Sequence, residues 1–299
     1  MKTWINGQFV DKDSVRVSIE TGALHYGTSV FDGILCVGST NKKMLFRLKE
    51  HLDRLLQSAS VLGLKTPYTL AQLSSAISQL LKINNLGSCY IRPLIFDNAN
   101  YLQLLPTQNN LTVAFICQPL NFYKFFFQMR KPLKIIALKS AMTYQDSGLI
   151  KAKVSGKYLN STLALLQAKK DGFDDAVIID HQNIISETTA ANLFIVKDKR
   201  LKTPLNPITL NGIVRESVIQ IARDCGYPVF EEKICLEELY TADEIFMTGT
   251  VKGIISVNQV STKKIINPQK QSIAKEIRKT YLDILTGKNN RYKEWLTIL

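Results

Sequence analysis

Apolar residues flank the dipeptide Asn6-Gly7, with Trp4 and Ile5 before it and Phe9 and Val10 after it. Asn-Gly suits a two-residue turn with both φ angles positive, so the first ten residues predict a β-hairpin. Residues 29–37 and 44–47 are rich in β-formers. Leu48, Leu52, Leu55, Ala59 and Leu62 then recur at helical spacing and predict an amphipathic helix over 48–63. Arg54 lies off that stripe, where a surface arginine is the ordinary reading. A second helix fits 69–86, closing at Asn85-Leu86-Gly87, and strands fit 89–96 and 111–117. In the second half strands are expected at 133–138, 176–180, 184–187, 192–197 and 229–234. Helices are expected at 156–170, 213–225, 236–240 and 270–285, and residues 241–269 carry no assigned element.

Between the halves, residues 118–132 (QPLNFYKFFFQMRKP) have prolines near both ends, a basic-aromatic middle and no clean period. They predict a small N-terminal α+β domain over 1–120, an interdomain linker over 121–132 and a larger C-terminal domain over 133–299. Each domain should carry a mixed or antiparallel sheet with helices.

Composition narrows the class. The chain has 299 residues, 45% hydrophobic and 21% charged, a profile that allows one large or two modest globular domains. Its net charge of +13 is spread along the chain without a long basic run, so a surface favouring small anions fits better than a nucleic-acid partner. The five cysteines make no CxxC pair, and three scattered histidines predict no metal site. No apolar run reaches membrane-spanning length and the first residues lack a signal-peptide core, so a cytoplasmic protein without membrane partners is expected.

Phosphate-loop, dinucleotide, GxSxG and HExxH signatures are absent. The residues left to carry chemistry are quieter. Lys151, Lys153 and Lys157 lie between an extended stretch and a helix start, where an enclosed lysine can lose its charge and become a nucleophile. By spacing alone they read equally as solvated lysines. Glu187 interrupts two apolar strands and reads either as a turn residue or as a partner for a cationic ligand. Asn211-Gly212-Ile213-Val214 opens a helix whose free N–H groups would suit a phosphate or simply their own cap.

Seven stretches in order resemble the class IV (fold type IV) pyridoxal-phosphate enzymes, and among them the branched-chain amino acid aminotransferases. They are ALHYGTSVFDG (23–33), FRLKEHLDR (46–54), YIRPLIF (90–96), KVSGKY (153–158), ISE through ANLF (185–194), LNGIVR (210–215) and ADEIFMTGT (242–250). The resemblance implies a pyridoxal 5'-phosphate-dependent transaminase that moves the amino group of leucine, isoleucine or valine to 2-oxoglutarate, as in branched-chain amino-acid biosynthesis. It also implies a homodimer or higher homo-oligomer with sites shared between subunits.

Residue by residue, the resemblance makes Lys153 the catalytic lysine that carries the cofactor as a Schiff base, since Tyr158 follows it by five. Tyr158 would hydrogen-bond the phenolate oxygen, Glu187 would pair with the pyridinium nitrogen, and Arg54 would clamp the phosphate. Gly212, Ile213, Val214, Gly249 and Thr250 would complete the phosphate site, with Leu210 against the ring. Tyr26 (from a neighbouring subunit), Phe31, Tyr90 and Val251 would surround the substrate side chain. The N–H groups of Thr250 and Val251 would receive the α-carboxylate, and Arg92 the distal carboxylate of glutamate. The chain departs from the family's common pattern at Val154-Ser155-Gly156-Lys157, Thr188 to Ala191, Asn211, Val214, Leu35 and Val251-Lys252-Gly253. These leave open an aminodeoxychorismate lyase-like or D-amino acid aminotransferase-like enzyme, and a binding protein that kept the fold.

Overall fold

The computed structural model describes residues 1–107, 110–121, 131–139, 148–205, 209–267 and 271–299. Residues 122–130, most of the expected linker, lie outside the described residues. Two compact units divide the chain.

The first unit contains β1 (Lys2–Ile5), β2 (Gln8–Asp11), α1 (Gly22–Tyr26), β3 (Ser29–Phe31), β4 (Ile34–Gly38), β5 (Lys43–Phe46), α2 (Leu48–Val61), α3 (Leu70–Ile83), β6 (Cys89–Asp97) and β7 (Leu111–Pro119). The C-terminal strand Leu296–Ile298, β5, β4, β6, β7, β1 and β2 follow one another in an antiparallel sheet, with β3 also paired to β6. The β1–β2 turn has the anticipated left-handed residues, Asn6 at φ 45° and Gly7 at φ 89°. Leu48, Leu52, Leu55 and Ala59 are buried along α2, each leucine contributing about 1.5–3 kcal/mol by removing apolar surface from water. A capping box of Thr69 and Gln72 starts α3.

The second unit contains β8 (Leu133–Lys139), α4 (Tyr158–Lys170), β9 (Asp175–Ile179), β10 (Ile185–Thr188), β11 (Asn192–Lys197), β12 (Arg200–Pro204), α5 (Ile213–Asp224), β13 (Val229–Glu232), α6 (Leu236–Thr241), β14 (Glu244–Gly249), β15 (Gly253–Val260), β16 (Lys263–Lys264) and most of α7 (Ile273–Leu285). Its sheet runs β10-β9-β8-β15-β14-β11-β12-β13, with β16 beside β15. The β8 pairings and the β12–β13 pair are parallel and the rest antiparallel, so this sheet is mixed. One apolar cluster fills its core, including Ile135, Val177, Leu193, Ile245, Met247 and Val257.

β14 and β15 occupy the middle of this sheet, inside the span with no assigned element. Five consecutive residues of β14 are buried, so its side chains lack the polar alternation that marks a half-exposed strand. A single cut in the chain does not separate the units either. Residues 152–157 and 284–299 belong with the first unit, because backbone pairing draws them there. Val154 bridges Val30, and Leu296 pairs with Phe46.

Candidate active site

Each unit holds some of the expected site residues. In the first, a carboxylate that the sequence reading overlooked is the organising group. Asp32 follows β3, is fully buried, and accepts hydrogen bonds from Gly33 N (2.7 Å), His51 Nδ1 (2.8 Å), Arg54 Nε (2.8 Å) and Arg54 Nη2 (2.8 Å). Burial opposes ionisation of Asp32, but the nearby Arg54 and His51 outweigh it and hold the carboxyl well below the usual carboxylate range. Burial pushes the His51 imidazole down, against the pull of Asp32, so its neutral form donates through Nδ1.

Helical periodicity alone would put Arg54 on the surface, whereas the motif resemblance makes it a site residue, and the structure draws it inward. Its side chain is only 12% exposed, because the Asp32 carboxylate draws the guanidinium inward. His51 and Arg54 stand three residues apart on α2, a spacing that puts both on one helical face. Apolar periodicity cannot register a buried face made of ionic groups.

Arg54 is connected to Lys153 through Ser58. The Ser58 hydroxyl donates to Arg54 O (2.8 Å) and accepts from Lys153 N (3.0 Å). The backbone of residues 153–156 then runs beside residues 27–31. Phe31 N donates to Lys153 O (3.1 Å), Ser29 Oγ donates to Ser155 Oγ (2.7 Å), and Gly156 N donates to Gly27 O (3.1 Å). Gly27 has φ 67°, and a Cβ there would sit 2.6 Å from Gly156 Cα, so this approach requires glycine.

Lys153 Nζ lies 5.0 Å from the centroid of the Phe31 ring. Arg92 also rests on that ring, at 4.5 Å, and donates through Nε and Nη2 to Tyr90 Oη at 3.0 and 2.7 Å. Tyr90 and Arg92 project from the same side of β6, as alternation along a strand requires. Among the described residues no carboxylate forms an ion pair with Arg92. Lys153, Phe31, Tyr90 and Arg92 are thus neighbours. Tyr26 ends α1 with 46% of its surface exposed.

In the second unit Glu187, on β10, organises the other expected residues. Its Oε2 accepts from Thr209 Oγ1 (3.0 Å) and more distantly from Leu210 N and Asn192 Nδ2 (both 3.4 Å). Oε1 has no hydrogen-bond partner among the described residues. Asn192 Nδ2 also donates to Leu210 O (2.8 Å) and Thr209 Oγ1 (2.9 Å), which fixes the segment leading into α5. A Cβ on Gly212 would lie 2.0 Å from Asn192 Oδ1, so any larger residue there would displace the Asn192 amide. Gly212 is the N-cap of α5, and Ile213 and Val214 form its first turn. Helix starts leave N–H groups unmatched within the helix. The fully buried Arg215 anchors this end through Glu231 (2.9 Å) and Pro204 O (2.8 Å).

Gly249 ends β14, and Thr250, Val251 and Lys252 form the loop into β15, which starts at Gly253 with φ 62°. Tyr158 opens α4, five residues after Lys153. The structure thus groups Lys153 and Arg54 with Phe31, Tyr90 and Arg92 in one unit, and Glu187 with Leu210 and Gly212 in the other. Asp32, His51, Ser58, Asn192 and Thr209 were not anticipated. Beside Asp32, a Cβ on Gly33 would meet Tyr90 Oη at 2.4 Å, a constraint visible only in the folded chain.

The Amino-transferase class IV family model matches residues 29–260. This chain belongs to that family of pyridoxal-phosphate-dependent transaminases. Among its relatives is the branched-chain-amino-acid aminotransferase of Escherichia coli (strain K12), 32% identical over 98% of this chain and 96% of that protein. The branched-chain aminotransferase of Thermoproteus uzoniensis, solved with norvaline, superposes with a TM-score of 0.90 at 33% identity, covering 100% of this chain and 99% of that one. The T.th. branched-chain amino acid aminotransferase, complexed with N-(5'-phosphopyridoxyl)-L-glutamate, gives 0.89 at 35% identity, covering 99% and 97%.

The residues present fit the family's cofactor in their chemistry. A lysine suits an aldehyde, a carboxylate oxygen without a partner among the described residues suits a protonated ring nitrogen, and an inward-drawn arginine and a glycine-started helix suit a phosphate.

Proposed function

We propose that this protein transfers the amino group of leucine, isoleucine or valine to 2-oxoglutarate. The observation that carries the reading is the Phe31–Arg92–Tyr90 group beside Lys153, which offers one apolar ring and one guanidinium without a carboxylate partner among the described residues. An aliphatic side chain needs the first, and the distal carboxylate of an acidic substrate needs the second. The relatives solved with norvaline and with a phosphopyridoxyl-glutamate adduct support the same pair of substrate classes.

Pyridoxal phosphate, when bound, supplies the aldehyde and the electron sink for amino transfer. Lys153 Nζ would hold its aldehyde and would move the proton at the substrate Cα. Glu187 Oε1 would hold the proton at the ring nitrogen, while its other oxygen is fixed by Thr209 and Leu210. Tyr158 would donate to the phenolate oxygen. Arg54 and the N–H groups of Ile213 and Val214 would orient the phosphate, joined by Thr250, with Gly212 and Gly249 allowing close approach. Leu210 would pack on the ring. The N–H groups of Thr250 and Val251 receive the α-carboxylate. Tyr26, exposed on its own unit, serves a second copy in a homodimer or higher homo-oligomer. The reading also places the protein in the cytoplasm, which its cysteines without CxxC pairs support. Among the described residues no helix is long and apolar enough to cross a membrane.

A panel of amino donors with 2-oxoglutarate tests the substrate reading, with branched-chain amino acids expected to be the best donors. Lys153→Ala should abolish both transamination and borohydride-trapped cofactor. Trapped cofactor mapping to Lys151 or Lys157 would overturn the assignment. Lyase activity on aminodeoxychorismate without amino transfer would overturn the substrate reading.

A further inference from the structure

Asp175, on β9, is a buried carboxylate outside the residues assigned above, with 1% of its surface exposed. Three donors converge on it. Ala176 N and Thr189 Oγ1 bind Oδ1 at 2.8 and 2.6 Å, and the Lys252 ammonium pairs with Oδ2. Thr189 and Lys252 come from different turns. Thr189 lies in the turn between β10 and β11, directly after Glu187 and Thr188. That turn is closed by Thr188 N and Thr188 Oγ1 donating to Ala191 O at 2.9 and 3.0 Å. Lys252 is the last residue of the three-residue loop that joins β14 to β15.

A three-residue hairpin loop closed by a left-handed residue has a defined backbone, and Gly253 supplies that residue here. The strand pair anchors the loop at one end through the Gly249–Gly253 pairing. It does not by itself set how the loop leans relative to the 188–191 turn. The Lys252–Asp175 ion pair does so, since Asp175 is itself fixed to that turn through Thr189. Because Asp175 is removed from water, the pair is screened far less than an exposed one.

We infer that Asp175 and Lys252 are positioning residues, which hold the backbone N–H groups of Thr250 and Val251 in register for the substrate α-carboxylate. The inference rests on the proposed role of those two N–H groups. It assigns Asp175 and Lys252 no contact with substrate. Their contribution is orientation, where small displacements have large effects on a hydrogen-bonded anion.

The test uses the cofactor-loaded enzyme and 4-methylpentanoate, an apolar carboxylate that lacks the amino group and cannot react. Its dissociation constant is measured by calorimetry for the native protein, Lys252→Met, Lys252→Arg and the double variant Lys252→Met/Asp175→Asn. The double variant removes both charges, so an unpaired buried carboxylate does not confound it. Both Met-containing variants should bind 4-methylpentanoate about tenfold more weakly, as expected for a displaced anion site. Lys252→Arg should restore most of the loss. The KM for leucine should rise while kcat at saturating leucine and the cofactor absorbance band stay near native. Val251→Pro, which deletes one of the proposed N–H donors, separates the two levels of the argument. If Val251→Pro leaves binding unchanged, the carboxylate reading itself fails. If Val251→Pro weakens binding and the folded double variant does not, the positioning role fails. A fall in kcat with unchanged KM would also overturn it.

Discussion

Asp32 and Glu187 are each a carboxylate on which several donors converge, one in each unit, and they are held in opposite ways. Asp32 is fully buried, and both its oxygens are engaged by an arginine, a histidine and a backbone N–H. Glu187 is half-buried, and among the described residues its donors are neutral and reach only Oε2. In the first case the carboxylate's charge is matched within the protein, and it serves to place Arg54. In the second the charge is left available at one oxygen. A carboxylate that builds a site can be recognised by complete internal pairing, and one that meets a ligand by a fixed orientation with an open acceptor.

The largest effect that can break this contrast is on folding. Asp32→Ala leaves the mostly buried Arg54 guanidinium without its carboxylate, and loss of one partner of a buried pair typically costs about 3–5 kcal/mol. Urea denaturation should show a drop of that order. Glu187→Gln keeps the shape and a carbonyl acceptor, so its stability should stay within about 1 kcal/mol of native. Equal destabilisation by the two substitutions would erase the distinction.

Next in size is the effect of Glu187→Gln on turnover. Losing a charged partner for a protonated ring nitrogen costs about 2–3 kcal/mol, a fall in rate of roughly a hundredfold. Cofactor should remain trappable by borohydride. Near-native turnover would make Glu187 a turn residue only.

Arg92→Met should act selectively. Its guanidinium is tied to a neutral hydroxyl and an aromatic ring, so it remains able to pair with an acidic substrate. Single-turnover spectra should show the half-reaction with glutamate or 2-oxoglutarate slowed about tenfold or more, with the leucine half-reaction changed much less. Equal slowing of both halves would mean that Arg92 only packs Phe31 and Tyr90.

The smallest effect is on pH dependence, and its sign follows from the two depressed groups. The Asp32 carboxyl is held below its usual range in the folded state, so the unfolded chain takes up the proton first. Its stabilisation is present above about pH 4 and is lost as pH falls further. His51 is kept neutral by burial, so its protonation below about pH 6.5 also favours unfolding. Stability measured downward from neutral pH should therefore fall, and Asp32→Asn should flatten the acid limb. An identical slope in that variant would exclude Asp32 as a source of acid sensitivity.

The sequence by itself determined the elements whose local pattern is unmistakable. Asn6-Gly7 dictated the first turn, the leucine stripe dictated α2, and alternation put Tyr90 and Arg92 on one face of β6. The linear order of motifs also carried the family and singled out Lys153, Arg54 and Glu187. Other features were decided only in three dimensions. β14 is buried on both faces because it lies inside a sheet, so no period marked it. Asp32, His51 and Arg54 are charged or polar, and local rules send such residues outward. Only the folded chain, which brings residue 32 beside residues 51 and 54, makes their burial affordable. Asn192 and Thr209 likewise gained their roles from contacts across 5 to 22 residues around Glu187. Hydrogen-bond partners of that kind leave no periodic trace, because the energy that selects them depends on distances in space rather than along the chain.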